Sequence, residues 1–301
     1  MRTTIAWPTL VWIWIAQGIG GSTPALTKLA LEGLEPFSLV VVRQILGTLF
    51  LVALLMLPER MRGGARLPPV RWTRRDFVLL VTLSWAGFAL PQILGAIGLE
   101  RSSATHGALL SPLEPIGILV GAALVLREPI GFAHVVAGTL GVVGAIAIVL
   151  SGSGDPHGGD RSGDLVMAAG HLCWALYTLA AKPLVTRHDP LRVAVLAGAI
   201  SWIPLLPFAL RESIDVERAV PALGWVVLLA LLASAVATVA WNRALREVSA
   251  ATMALFVFVQ PVVGLGVGIP LGERAGIGAI LGAGAIVLGV AIATLRGARS
   301  G

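Results

Sequence analysis

The sequence contains little cysteine, lysine or charge of either sign. Its 301 residues include one cysteine, Cys173, and two lysines, Lys28 and Lys182. A single cysteine excludes an intrachain disulfide and any metal site built from several cysteines. Charged residues make up only 13% of the chain, whereas a water-soluble domain of this length needs about a quarter. The composition therefore indicates an integral membrane protein.

Motifs that supply energy or a catalytic centre are also missing. The sequence has no Walker loop, no HExxH motif and no paired Cys/His spacing. No serine lies in a nucleophile-elbow context. We therefore expect a protein that is not an enzyme, needs no cofactor or metal, and does not hydrolyse ATP alone. The pI near 10.9 does not indicate nucleic acid as a partner, because the arginines are spread over short loops.

Long apolar runs take up most of the chain. Runs of about 20 apolar residues mark helices that cross a bilayer. Ten are predicted, near residues 7–31, 37–57, 77–98, 103–126, 131–151, 163–185, 190–210, 220–241, 249–271 and 275–296. The segment GSGDPHGGDRSG has linker composition. We predict a first repeat at 1–151, an extracytoplasmic linker at 152–162 and a second repeat at 163–301.

The distribution of basic residues favours a cytoplasmic position for both chain termini. In that orientation the inner segments carry fifteen Lys and Arg residues and the outer segments carry five. Five spans per block mean that the second block enters the membrane from the opposite side. The sequence thus predicts an all-α membrane protein of ten transmembrane helices, arranged as two inverted five-helix repeats.

Two internal comparisons support this duplication. Each lysine ends a stripe with spacings of four, three and four residues, namely Gln17, Gly21, Pro24, Lys28 and His171, Ala175, Thr178, Lys182. The segment 103–109, followed by Leu113-Glu114-Pro115, also aligns without gaps on 249–255, followed by Val259-Gln260-Pro261. Glu114 and Gln260 are therefore equivalent positions, and Glu128 and Glu273 follow them with one residue of slippage.

On these residues the chain resembles the EamA-type branch of the drug/metabolite transporter superfamily, over nearly its whole length. The most specific segments are Gly163-Asp164-Leu165 through Cys173-Trp174-Ala175-Leu176-Tyr177, Leu113-Glu114-Pro115 with Arg127-Glu128, and Val259-Gln260-Pro261 with Gly272-Glu273. Lys28 and Arg43 are also typical, whereas Gly20 stands where the family usually has tryptophan. The resemblance implies a ten-span transporter in a bacterial plasma membrane, often an exporter of amino acids or other small metabolites.

Polar residues inside the predicted spans are candidates for a substrate path. The cavity candidates are Gln17, Gln92, His106, Glu114, His171, Trp174 and Gln260. An ionisable group at mid-bilayer costs about 2.5–3.5 kcal/mol, so Glu114 should face a cavity or a partner. It either contacts substrate or carries a proton, or it satisfies backbone groups that Pro115 frees. His171 either couples transport to protons or makes a neutral hydrogen bond between helices.

Charged residues and prolines form a second group of candidates. Lys28 and Lys182 lie near helix ends, where they either reach the interface or bind an anionic group as gates. Arg43 lies deeper and is predicted to pair with a helix-end carbonyl or with Glu32 or Glu35. Pro112, Pro115 and Pro261 are predicted to kink the fourth and ninth helices. The kinks either bound a substrate site at the midplane or are static.

The leading hypothesis is a secondary transporter that exports small metabolites such as amino acids, by alternating access through a central midplane cavity. Its partners would be a small-molecule substrate and the lipid bilayer, with protons as a candidate coupling ion. The oligomeric state is left open. The alternative is a flippase for a lipid or lipid-linked sugar, which rests on analogy between folds.

Overall fold

The computed structural model describes residues 5–57, 71–102, 110–150, 160–268 and 276–297. Within these ranges the chain is helical and contains no strand. Every predicted span overlaps a helix in the described part of the chain. The predictions for His106, Glu273 and most of the linker concern residues outside these ranges.

In the described ranges the first half contains α1 (Trp7–Leu31), α2 (Pro36–Met56), α3 (Arg74–Arg101), α4 (Leu113–Leu124) and α5 (Phe132–Leu150). Proline stands in the first turn of α1 and α2, where its missing N–H costs no helical hydrogen bond. A capping box begins α3: Thr73 accepts from the backbone N–H of Asp76, and the Asp76 carboxylate accepts from that of Thr73.

The second half contains α6 (Arg161–Arg187), α7 (Pro190–Ser201), α8 (Val216–Glu247), α9 (Ala250–Val257), α10 (Gln260–Gly268) and α11 (Ile277–Gly297). A short turn of helix, Leu206–Ala209, follows α7. Asp189, Asp215 and Ser249 cap the starts of α7, α8 and α9 through their side-chain oxygens. Local sequence therefore fixes where these helices begin.

Four helices in the described ranges are long and apolar enough to cross a membrane: α2, α3, α6 and α8. They contain 21 to 32 residues each, and a crossing needs about 20. Large apolar side chains lie on the outside of the bundle, such as Met56 at 81% exposed and Ile277 at 79%. Since water would not favour such a surface, these faces are suited to contact lipid.

Two helices contain a π-helical stretch of the same length. Eight residues of α3, Thr82–Ala89, and eight of α8, Ala230–Ala237, have this wider winding. Such stretches leave the regular i to i+4 hydrogen-bond pattern and are frequent at functional sites. They occur in the third predicted span of each half.

Helices α5 and α11 pack with their backbones in contact. A Cβ atom placed on Gly282 would lie 2.4 Å from the carbonyl oxygen of Gly144, and one on Gly144 would lie 2.5 Å from that of Gly282. Only glycine allows so close an approach, which strengthens van der Waals packing in a medium without a hydrophobic driving force. The small residues of these two helices therefore hold the bundle together.

We predict that Gly282→Ala destabilises the protein by about 1–3 kcal/mol, because the two helices must move apart. The matched control is Gly284→Ala on the same helix, where no described heavy atom lies within 4 Å of the added carbon. Thermal unfolding in detergent should show a lower melting temperature for the first variant only. Equal melting temperatures for both variants would contradict this packing.

Candidate functional site

A group of buried carboxamides lies inside an otherwise apolar bundle. These side chains belong to α1, α2, α3 and α8: Gln17, Gln44, Gln92 and Asn242. Neither polar atom of Gln44 or Gln92 has a hydrogen-bond partner among the described residues. Buried polar atoms normally have partners, and leaving one unpaired costs about 1–3 kcal/mol. The interior therefore contains donors and acceptors that packing alone does not use.

Gln17 and Gln260 meet across the two predicted repeats. The Gln260 Nε2 donates to the Gln17 Oε1 at 3.0 Å, which joins α1 to the start of α10. Gly20 lies one turn after Gln17, and a Cβ there would lie 2.8 Å from the Gln260 Nε2. The glycine that stands where the family usually has tryptophan thus leaves space that the Gln260 amide occupies.

Glu114 lies in the first turn of α4 and is partly buried. Its carboxyl group has neither an ion pair nor a hydrogen bond within the described ranges. Two contacts place α4 beside α6: a Cβ on Gly117 would lie 3.0 Å from that of Ala175, and one on Gly121 would meet Leu179. The two helices therefore run in the same direction. One turn earlier on each, Glu114 and His171 lie at the same level.

Trp174 belongs to a cluster of three aromatic rings. Its ring centroid lies 6.1 Å from that of Phe88 and 5.8 Å from that of Tyr177. Phe88 belongs to the π-helical stretch of α3, and the Tyr177 hydroxyl donates to the Asn242 Oδ1 at 2.9 Å. The cluster thus connects α3, α6 and α8. Tyr177 and Asn242 were not predicted, although a single tyrosine inside an apolar run was a usable signal.

The two lysines have different surroundings. The Lys182 Nζ donates to the carbonyl oxygens of Leu245 and Val248, at 2.8 and 2.7 Å, which lie at the end of α8. A cation is favoured there, because the last carbonyls of a helix have no partner within it. Lys28, at the equivalent position of the first half, is exposed. The two lysines therefore occupy equivalent sequence positions but do not make equivalent contacts.

The Glu128 carboxylate contacts the start of α9, next to the end of α8 that Lys182 contacts. Its carboxylate accepts from the backbone N–H groups of Ala250 and Ala251, at 3.0 and 2.9 Å, in the first turn of α9. An anion at a helix start matches the helix dipole and satisfies free donors. Lys182 and Glu128 together fix the short link between α8 and α9.

Arg43 lies inside the bundle at 5% exposure, and its Nε donates to the Ser234 Oγ at 3.0 Å. The prediction that Arg43 pairs with Glu32, Glu35 or a helix-end carbonyl was wrong. The Glu35 carboxylate instead accepts from the Ser213 hydroxyl at 3.1 Å. Glu35 precedes the first turn of α2, about two turns from Arg43, and faces the loop before α8.

Helix breaks precede the two equivalent motifs. Ser111 and Pro112 form a turn directly before α4, so Glu114 and Pro115 lie in its first turn. Phe258 and Val259 form a turn directly before α10, which begins with Gln260 and Pro261. In both places a break in the helix therefore lies next to the polar residue.

The sequence model of the EamA-like transporter family matches this chain twice, at residues 7–150 and 161–295. The chain belongs to the EamA-like transporter family. It therefore carries two copies of the family's repeat, and its role is that of a membrane transporter. A small-molecule substrate and a lipid environment follow from that membership.

Three relatives are similar in sequence to this EamA-like transporter. The uncharacterized transporter YetK of Bacillus subtilis is 28% identical over 82% of this chain and 74% of its own length. YyaM of the same species is 24% identical over 91% and 89%. A probable terminal-alkyne amino-acid exporter of Streptantibioticus cattleyicolor is 27% identical over 64% of each chain.

A solved crystal structure has the same fold. It superposes with a TM-score of 0.76, covers 97% of this chain and 98% of its own, and shares 17% sequence identity. At that identity the similarity supports the fold alone. The helical architecture of the EamA-like transporter therefore has an experimental counterpart.

We predict that Lys182→Met lowers the free energy of unfolding by about 1–3 kcal/mol, because two helix-end carbonyls lose a charged donor. Lys28→Met is the matched control, since its side chain is exposed. Thermal unfolding of the purified variants checks the difference. An equal effect of both substitutions would show that the α8 contacts contribute nothing.

Proposed function

We propose that this EamA-like transporter exports small metabolites such as amino acids by alternating access between two inverted halves. The halves are residues 1–151 and 163–301, with the linker at 152–162 outside the cell and both termini in the cytoplasm. Each half contributes five crossings. The main support for the proposal is the hydrogen bond between Gln17 and Gln260, which joins the two halves. It lies inside an apolar bundle that contains other buried polar groups.

Three further features support an inverted duplication. The π-helical stretches lie in the third predicted span of each half, and the helix breaks precede Glu114 and Gln260. The family model also matches twice. In transporters built from inverted repeats, the substrate site lies near the midplane where the repeats meet and helices are interrupted.

Amino acids are the proposed substrate class for two reasons. One relative is named as a probable exporter of terminal-alkyne amino acids. The polar groups inside this bundle include buried carboxamides, a buried guanidinium and the partly buried Glu114 carboxyl group, which suit a small polar solute with charges of both signs. A purely apolar compound would leave those groups unsatisfied.

Protons are the proposed coupling ion, with Glu114 as their carrier. Its carboxyl group lies in the first turn of α4, without a partner in the described ranges, at the level of His171. A carboxyl group that faces an intramembrane cavity can exchange a proton for a cationic or zwitterionic solute. The remaining cavity residues, Gln92 and Trp174 among them, would contact the solute without changing charge.

Lipid flipping is the weaker alternative. A groove of about 570 Å³ opens between α4 and α5, lined by Ile116, Leu119, Val120, Ala123, Ile130, His134, Val135, Gly138, Thr139, Val142 and Val143. No arginine or lysine occurs among these lining residues. A flippase needs polar or basic contacts for a headgroup along its lateral opening. The groove is suited to acyl chains, and its polar side chains are those of His134 and Thr139.

We predict that purified wild-type protein in liposomes transports some members of an amino-acid panel, and faster with a pH gradient than without. Glu114→Gln should lose the stimulation by the gradient and keep exchange of solute at equal pH, because only the proton site is removed. Radiolabelled counterflow with and without the gradient measures both.

The control for this prediction is Glu247→Gln, which removes a carboxylate that is 60% exposed at the end of α8. It should respond to the gradient as the wild type does. A Glu114→Gln variant that still responds to the gradient would exclude Glu114 as the proton carrier.

We also predict that Gly20→Ala weakens the apparent affinity for solute by about 2–10-fold, because the methyl group displaces the Gln260 amide from Gln17. The melting temperature should change little, since a flexible side chain can move. Gly18→Ala is the matched control, with no described atom within 4 Å of its added carbon. An unchanged affinity in Gly20→Ala would show that Gln260 does not contribute to the proposed solute site.

A further inference from the structure

Arg43 is a buried cation that has no anionic partner among the residues the structure describes. Its side chain points from α2 to α8, where its Nε donates to the uncharged Ser234 hydroxyl. No aspartate or glutamate of the described chain lies within 4.0 Å of the guanidinium. Buried charges in proteins are normally paired, because an isolated charge in a medium of low dielectric is costly.

Carboxylates of neighbouring elements are engaged elsewhere. Glu212 accepts from the backbone N–H groups of Phe37 and Ser38 and so caps α2, and Glu35 accepts from Ser213. At the opposite end of the bundle, Asp76 pairs with Arg187. None of these groups is placed to neutralise Arg43. In the described ranges no ion pair includes Arg43, so an anionic group of a bound solute would be its charged partner.

Arg43 also breaks the symmetry of the two halves. Lys28 and Lys182, and likewise Pro36 and Pro190, are separated by one constant spacing along the chain. The same spacing leads from Arg43 to Ala197, which is buried in α7. Features that build the scaffold twice are duplicated, whereas this charge occurs once. A role in recognising an asymmetric solute fits a single charge better than a role in the scaffold.

The surroundings of Arg43 are suited to a carboxylate. A guanidinium has five N–H donors in a planar fork, and the bond to Ser234 uses one of them. Arg43 lies about 10 Å along α2 from its first residue. In the proposed orientation that depth is between the outer surface and Gln17.

We propose that Arg43 binds the carboxylate group of the transported solute, and that Ser234 holds the guanidinium in position. This inference rests on the proposed transport function and narrows its substrate class to molecules that carry a carboxylate. The solute supplies the missing negative charge, and a bidentate contact uses the free edge of the fork. Ser234 belongs to the π-helical stretch of α8, so this stretch would position the Arg43 guanidinium.

The test compares an acid with its amide. Counterflow in liposomes is measured for the best-transported amino acid of a panel and for its α-carboxamide, which lacks the anionic charge. The wild type should favour the acid by at least about tenfold, the range of a hydrogen bond to a charged group. Arg43→Gln should lose that preference by weakening the affinity for the acid alone.

Two further variants keep the test decisive. Arg43→Lys keeps the charge but not the fork, so its preference for the acid should fall between those of the wild type and Arg43→Gln. Ser234→Ala should keep most of the preference, because the guanidinium remains. Equal losses for acid and amide in both arginine variants, together with a lower melting temperature, would show a structural role and overturn the inference.

The outcomes also separate this inference from the proposed function. Transport of the panel without any preference for acid over amide would overturn the role of Arg43 and leave metabolite transport standing. Transport of no panel member would contradict both.

Discussion

A polar group inside a bilayer has no water to bind, and this constraint governs the structure of the EamA-like transporter. Each donor, acceptor or charge within the helices must meet another protein group or face an internal cavity. Most such groups bind another protein group. Tyr177 binds Asn242, Gln260 binds Gln17, and Lys182 binds the carbonyls that end α8. The few groups that do not are therefore the most informative about function.

Those exceptions differ from the groups that hold the bundle together. Glycine contacts between α5 and α11 and the ionic contacts of Lys182 and Glu128 need nothing from outside the chain. The carboxyl group of Glu114 and the guanidinium of Arg43 have opposite charges, and neither has an ionic partner in the described ranges. Both lie inside helices of the first half.

The first turn of α9 shows how local chemistry positions a distant residue. Glu128 and Lys182 fix the link between α8 and α9, and α9 leads directly to Gln260. Side chains along α9 are buried, including Met253, Phe256 and Val257. The equivalent Lys28 of the first half is exposed. The two halves thus share a sequence pattern but differ in the contacts that their equivalent lysines make.

The membrane class, the helix positions and the family could be predicted because they depend on local composition and repeated motifs. Gln17 and Gln260 were also predictable, since polar residues in apolar runs must meet something. Their direct contact was not, because it depends on how two distant helices pack. Arg43 shows the same limit: its partner Ser234 is far along the chain and uncharged, so neither charge pairing nor spacing indicates it. Gln44 and Asn242 were missed because each adjoins an arginine that explained the local polarity.

Alternating access requires a water-accessible path through the bundle at mid-membrane. The decisive measurement is the reaction of a cysteine at position 114 with a charged, membrane-impermeant thiol reagent, in a Cys173→Ala background. Glu114→Cys should react, whereas Leu281→Cys, on the lipid-facing side of α11 at 68% exposure, should not. An unreactive cysteine at position 114 would show that no such path reaches Glu114.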